Sequence, residues 1–185
     1  MTVTWLQGPA WLQALRPAPA FAAFALAASI GLAADEDDAV KALRKRHLEL
    51  PVQGLKRSDL RDTFRETRER TRQHEALDIL APRDTPVLAV DDGTVAKLFL
   101  SKAGGNTIYQ FDPTSTYAYY YAHLERYAAG LKNGDSVRRG QVIGYVGTSG
   151  NAPPNTPHLH FAIFKLFEAK RWWEGAAIDP YPILK

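Results

Sequence analysis

The sequence contains no cysteine. This excludes disulfides, thiolate metal ligands and lipidation at a cysteine, and leaves the redox compartment open. It also lacks a strong excess of either charge, since 23 Lys and Arg against 20 Asp and Glu leave a net charge of +3. So slight a balance gives no argument for nucleic-acid binding, although it permits loose attraction to an acidic polymer. No apolar run reaches the roughly 20 residues that a membrane-spanning helix needs. Residues 20 to 34 come nearest: they carry no charge, end on small residues and meet Asp35-Glu36-Asp37-Asp38 at once. That length and that ending suit a secretory signal over residues 1–34, cut after Ala33 or Ala34. The alternative is an uncleaved membrane anchor, because Arg16 is the only basic side chain ahead of the run. Either way the rest of the chain is expected to work outside the cytoplasm.

What is present is the texture of a globular protein, 45% hydrophobic and 23% charged over 185 residues. That length holds one ordinary domain plus extras. Residues 35–72 read as a charged lead. Val40, Leu43, His47 and Leu50 recur at helical spacing, which predicts a short amphipathic helix with His47 on its solvated side. Pro51 to Gly54 break it. The dense charges from Arg65 to Arg72 predict a solvated helix or a loop and require no function.

From Ala76 onward short apolar runs alternate with turn residues, the pattern of an all-β domain. Strands are expected over Pro86–Val90, Thr94–Leu100, Asn106–Phe111, Tyr117–His123 and Gln141–Val146. Leu124 to Leu131 reads as one or two helical turns, and the tail from Ala169 as a segment packed on by its aromatics. The stretch Thr156-Pro157-His158-Leu159-His160-Phe161-Ala162-Ile163-Phe164 is the most informative strand. Alternation sends His158, His160, Ala162 and Phe164 to one face, and Leu159, Phe161 and Ile163 to the core. Two imidazoles, common metal ligands that titrate near neutrality, thus stand side by side on a rigid element.

Two other segments carry matching chemistry. His74 and Asp78 lie four apart, and Tyr121-Ala122-His123-Leu124 ends a tyrosine-rich strand. Two His and a carboxylate with an open position is the layout of a catalytic zinc site. His74-Glu75-x-x-Asp78 fails the zincin helix motif, which needs His in the last place, so Glu75 has a weak claim as a base. On a helix His74 and Asp78 share a face. On a straight strand they stand about 13 Å apart, too far for one ion. A bent passage from loop to strand also brings them together. Gly147-Thr148-Ser149-Gly150 approaches a nucleophile elbow, but Asn151 stands where the last Gly belongs, which leaves a turn.

In this order, His74-x-x-x-Asp78, Tyr121-Ala-His-Leu124, Gly147-Thr-Ser-Gly150 and His158-Leu-His160 resemble the lysostaphin/LytM-type zinc endopeptidases, the M23 peptidase family. The resemblance runs from about Leu50 to the end, with the peptidase domain itself at 73–185. It implies a mainly β fold: a compact, twisted antiparallel sheet or barrel-like sandwich behind a short helical lead. It implies one zinc ion on His74, Asp78 and His160, and His123 and His158 as catalytic histidines. It implies hydrolysis of stem-peptide cross-links in bacterial peptidoglycan, in the periplasm or outside the cell. Tyr119, Tyr120, Tyr121 and the loop from Asn151 to Pro157 either line a groove for that peptide or simply pack the sheet. Membrane contact is expected only through an uncleaved N-terminal segment, and no wall-targeting repeat is recognisable. Two departures stand out: the family usually has Gly where Ala76 stands, and often Glu where Ala162 stands. The competing reading is a non-catalytic peptidoglycan-binding module or hydrolase activator on the same fold. Carrier domains, which the stretches around Val87–Val95 and Lys132–Val146 also resemble, need a Lys at the hairpin tip. Here the tip is Asp91-Asp92-Gly93.

Overall fold

Strand alternation sets the architecture. The computed structural model describes residues 31–68 and 72–185. A two-stranded hairpin, β1 (Thr67–Arg68) with β2 (Arg72–Gln73), precedes the main sheet. The main sheet comprises β3 (Leu77–Leu80), β4 (Pro86–Leu88), β5 (Gly93–Ser101), β6 (Gly105–Phe111), β7 (Tyr117–Tyr127), β8 (Ser136–Val137), β9 (Val142–Val146), β10 (His158–Leu166) and β11 (Gly175–Ile178). All its pairings are antiparallel. Its path runs β11-β10-β7-β6-β5-β8, with β3 on β10 and β9 joining β4 to β7. β7 is long enough to serve two partners in turn: Tyr117–Ala122 pair with β10, and Leu124–Tyr127 with β9. That change of partner folds the sheet into a sandwich-like shape without closing it.

The main core forms on one face of the central strands. Leu159, Phe161 and Ile163 of β10 are fully buried, as the alternation requires, and so are Tyr119 and Tyr121 of β7. Each large apolar side chain buried this way contributes about 1.5–3 kcal/mol, an upper figure because unfolded chains are not fully extended. A second cluster covers the opposite face: Ala76, Tyr109, Tyr120, Ala122 and Ala162, with Phe99, Phe164 and Trp172 against it.

The lead belongs to the main core. Helix α1 (Gly31–Arg44) sends Ala39 and Leu43 into it and lies against α2 (Tyr181–Leu184) near the chain's end. Leu48, Leu50, Val52 and Leu60 follow α1 into the same core. The helix ends earlier than its periodicity suggests, because His47 takes a positive φ of 52° and turns the chain. His47 itself is exposed, as expected. The expected secretory segment lies outside the described residues up to residue 30. The expected cuts after Ala33 or Ala34 fall in the first turn of α1. Among the described residues no helix is long and apolar enough to cross a membrane.

Two local expectations need correction. Leu124 to Tyr127 continue β7 rather than turning into helix, because β9 offers them a partner. In the charge run from Arg65 to Arg72, Thr67–Arg68 form β1 and Arg72 opens β2, where a solvated helix or a loop is expected. The tail from Ala169 packs on by its aromatics as expected, Trp172 against Phe99 and Tyr109, and also contains a strand, β11, which pairs beyond β10.

Candidate metal centre

His74 and Asp78 meet because the chain bends between them. Glu75 adopts a φ of 56°, in the left-handed region that non-glycine residues rarely enter. The bend ends at Ala76, which is fully buried, and β3 begins one residue later. His74 Nε2 therefore lies 2.9 Å from Asp78 Oδ1, not the strand distance. Thr63 steadies both residues. Its carbonyl oxygen accepts the His74 Nδ1–H at 2.9 Å, and its hydroxyl accepts the Asp78 backbone N–H at 3.0 Å. With Nδ1 committed as a donor, His74 keeps Nε2 free for a ligand.

β10 brings the third group. His160 sits opposite Asp78 in the β3–β10 register. Its Nδ1 lies 3.1 Å from Asp78 Oδ1 and 3.1 Å from His74 Nε2. These three atoms close a small triangle. A tetrahedral zinc with bonds of about 2.0–2.1 Å to N and O has ligand–ligand edges near 3.3 Å. The observed edges are within a few tenths of an ångström of that, and the two-imidazole, one-carboxylate set suits the ion, so the residues fit zinc. Burial opposes ionisation of Asp78, but hydrogen bonding and charge from His160 and His74 outweigh it. Its carboxyl is held far below the usual range and is ionised as a ligand must be.

His123 and His158 complete the cluster. Their ring centroids are 4.9 Å apart, and that of His123 is 5.7 Å from that of His160. His158 Nε2 lies 3.9 Å from Asp78 Oδ1. Each ring gives its Nδ1–H to a backbone carbonyl, His123 to Ser149 and His158 to Thr156, both at 2.8 Å. That fixes the tautomer and leaves Nε2 as the free nitrogen on both. Burial, with His160 and His158 close by, pushes the His123 imidazole down to about 4, so it is neutral near pH 7. By strand alternation His123 belongs with Tyr119 and Tyr121 on the core face. A bulge between β6 and β7 and a φ of 60° at His123 re-aim it toward the other histidines.

A model of peptidase family M23 matches residues 72–180. The chain belongs to this family. It is 40% identical over 119 residues to the L-Ala--D-Glu endopeptidase of Bacillus subtilis, covering 62% of this chain and 35% of that protein. It is 38% identical over 88 residues to the peptidoglycan DD-endopeptidase ShyC of Vibrio cholerae, covering 48% of this chain and 19% of that one. The chain thus spans well under half the length of these curated relatives. Among solved structures, the catalytic domain of the antimicrobial peptidase lysostaphin from Staphylococcus simulans superposes with a TM-score of 0.54 at 26% identity. That match covers 78% of this chain and 96% of the other.

At the Ala76 departure from the M23 pattern, the positive φ of the bend falls on Glu75, the residue before it. Ala162 is buried in the second cluster, where a carboxylate would sit among aromatic rings. The turn Gly147–Gly150 is scaffold. A Cβ on Gly105 would meet Ser149 Oγ at 2.2 Å, and one on Gly150 would meet the Ala103 carbonyl oxygen at 2.2 Å. Both glycines also carry positive φ, so this clasp of turn on β6 needs them. The Ser149 hydroxyl donates to the Leu124 carbonyl and accepts the Asn106 N–H, which leaves it no role as a nucleophile. Of the three tyrosines, Tyr119 and Tyr121 pack the core; only Tyr120 lies on the site face, its ring edge-on to His160 at 5.9 Å. Two contacts of the site carry no motif: Thr63, and Arg68, whose Nη2 lies 2.7 Å from Asp78 Oδ2. No spacing signal marks either, because each reaches the site through tertiary contact; Ser149 lies in the Gly147–Gly150 turn, and its carbonyl is what orients His123.

Proposed function

We propose that this protein is an exported zinc metalloendopeptidase that hydrolyses peptide cross-links of bacterial peptidoglycan. The observation that carries the reading is the convergence of His74 Nε2, Asp78 Oδ1 and His160 Nδ1 beside two further histidines with free Nε2 atoms. His74, Asp78 and His160 would hold one zinc ion, leaving an open position for substrate. Zinc bound there supplies a Lewis acid that polarises the scissile carbonyl and acidifies a water. The chain's own residues do the rest. A neutral Nε2 of the His123–His158 pair takes a proton from the attacking water and, as N–H, delivers it to the departing amine. The same pair, when it donates, stabilises negative charge on the carbonyl oxygen. Phe164, half-buried against the Tyr120 ring with centroids 6.4 Å apart, offers an apolar contact for an extended peptide.

The peptidoglycan substrate is supported by family membership and by the names of two relatives, an L-Ala--D-Glu endopeptidase and a peptidoglycan DD-endopeptidase. Zinc-loaded protein incubated with purified sacculi is expected to convert cross-linked muropeptide dimers to monomers. Unchanged dimers from protein shown to hold zinc would favour the rival reading, a non-catalytic wall-binding module. We propose further that residues 1–34 are an export signal, 35–72 a lead and 73–185 the peptidase domain. N-terminal sequencing of protein from its native host is expected to begin at Ala34 or Asp35. A chain beginning at Met1 would point instead to a membrane anchor.

A further inference from the structure

Asp78 divides its two oxygens between different partners. Oδ1 faces His74 Nε2 and His160 Nδ1, at 2.9 and 3.1 Å. Oδ2 accepts a charge-assisted hydrogen bond from Arg68 Nη2 at 2.7 Å. The same nitrogen lies 3.2 Å from Glu66 Oε2, so the guanidinium sits between two carboxylates. The backbone holds it there: the His74 N–H bonds the Glu66 carbonyl and the Glu75 N–H bonds the Phe64 carbonyl, locking the segment before β1 against the ligand-bearing bend. Arg68 lies outside the stretch that matches the M23 model, within the charge run from Arg65 to Arg72.

The division matters for coordination. A carboxylate can give a metal one oxygen or both. Two imidazoles and a two-oxygen carboxylate make four protein donors, which fill the tetrahedral positions and leave a bound water only a crowded fifth place. Two imidazoles and one oxygen make three, with a fourth position left open. A cation bonded to Oδ2 at 2.7 Å competes with the metal for that oxygen. We propose that Arg68 is a positioning residue that keeps Asp78 a one-oxygen ligand and so keeps the zinc site open. This rests on the zinc reading proposed above.

The test uses the full chain loaded with Co2+ in place of zinc, whose visible spectrum reports coordination number, together with kcat and KM of the zinc form on cross-linked muropeptides. Wild-type protein is expected to show the intense bands of a four-coordinate site. In Arg68→Ala the bands should weaken as Oδ2 joins the metal, and kcat should fall about 10-fold or more with KM little changed, the scale of losing a ligand's supporting partner. Arg68→Lys, which keeps a cation within reach of Oδ2, should restore the wild-type spectrum and most of kcat. A purely structural role would lower the melting temperature and leave the spectrum alone. If Arg68→Ala does not fold, Arg68→Gln, which keeps the stem but not the charge, should show the same weakened bands. A wild-type spectrum and kcat in the neutral variants would overturn the proposal. A raised KM with spectrum and kcat unchanged would also overturn it, and would make Arg68 a substrate contact instead. Wild-type protein that takes up neither Co2+ nor zinc would overturn the zinc reading itself and this inference with it.

Discussion

The two faces of β10 are built from consecutive residues and held in opposite ways. On one face Leu159, Phe161 and Ile163 are fully buried in the main core, each touching several apolar neighbours. On the other, His158 and His160 are oriented by a few single contacts: the Thr156 carbonyl for one, Asp78 for the other. The core face is over-determined, since losing one methyl leaves many contacts. The site face is not, since each imidazole nitrogen has one or two partners. Stability and chemistry are thereby separated across a single strand, and substitutions on the two faces should fail in different ways.

The largest effect is expected on the site face. His160→Ala removes one corner of the proposed ligand triangle and should abolish both zinc binding and turnover while leaving the melting temperature of the metal-free protein within a few degrees. Metal analysis of purified protein, alongside the muropeptide assay, checks this. Full zinc occupancy and turnover in the variant would remove His160 from the ligand set.

His123→Ala and His158→Ala should separate metal binding from chemistry. Each should retain zinc and lose about 10²-fold or more in kcat, the usual scale for losing acid–base help. Zinc loss in His158→Ala would make it a ligand and redraw the site.

On the core face the failure should be thermodynamic. Phe161 packs against Tyr121 with ring centroids 5.3 Å apart and no exposure. Phe161→Ala should cost about 3–5 kcal/mol, and Ile163→Val about 0.5–1.5 kcal/mol, from lost contacts and the cavity left behind. Denaturant unfolding measures both. Ile163→Val, still well folded, should keep wild-type kcat and zinc affinity. A large drop in kcat there would mean that the two faces are coupled after all.

Much of this was legible in the chain because alternation is a strong physical signal. The faces of His158–Phe164 follow from it, and the fixed order of His74, Asp78, His123, His158 and His160 carries the family resemblance. Alternation fails where the backbone leaves the strand. His123 reads as a core residue by parity, and only the bulge and positive φ turn it to the site. The same limit hid the continuation of β7 past Leu124, since a strand that changes partners looks like the end of a strand. Thr63 and Arg68 were illegible for another reason. Their contacts with His74 and Asp78 depend on a loop and a short hairpin whose path no local pattern encodes.

A stability effect with its own pH signature sharpens the comparison from outside the site. Asp112 ends β6 at the turn into β7, and its carboxylate is wholly enclosed. It accepts bonds from the Thr114 hydroxyl and the Thr116 and Tyr117 N–H groups, each at 2.6 Å, and pairs with Arg46 at 2.9 Å. Burial opposes its ionisation, but these bonds outweigh it and hold its carboxyl below the usual range. A group whose pKa is depressed by folding stabilises fully above its unfolded value, about 3.9, and loses that contribution as pH falls through the folded value. Asp112→Asn should therefore cost about 1.5–3 kcal/mol at pH 7, the scale of hydrogen bonds to a charged group. The gap to wild type should stay constant down to about pH 5 and narrow below pH 4. Urea unfolding of both proteins across that range measures it, and the subtraction cancels titrations that the two share. Turnover of folded Asp112→Asn at pH 7 should match wild type, because none of the carboxylate's partners touches a site histidine. A constant gap to pH 3 would mean that the Asp112 carboxyl is not held ionised by its fold.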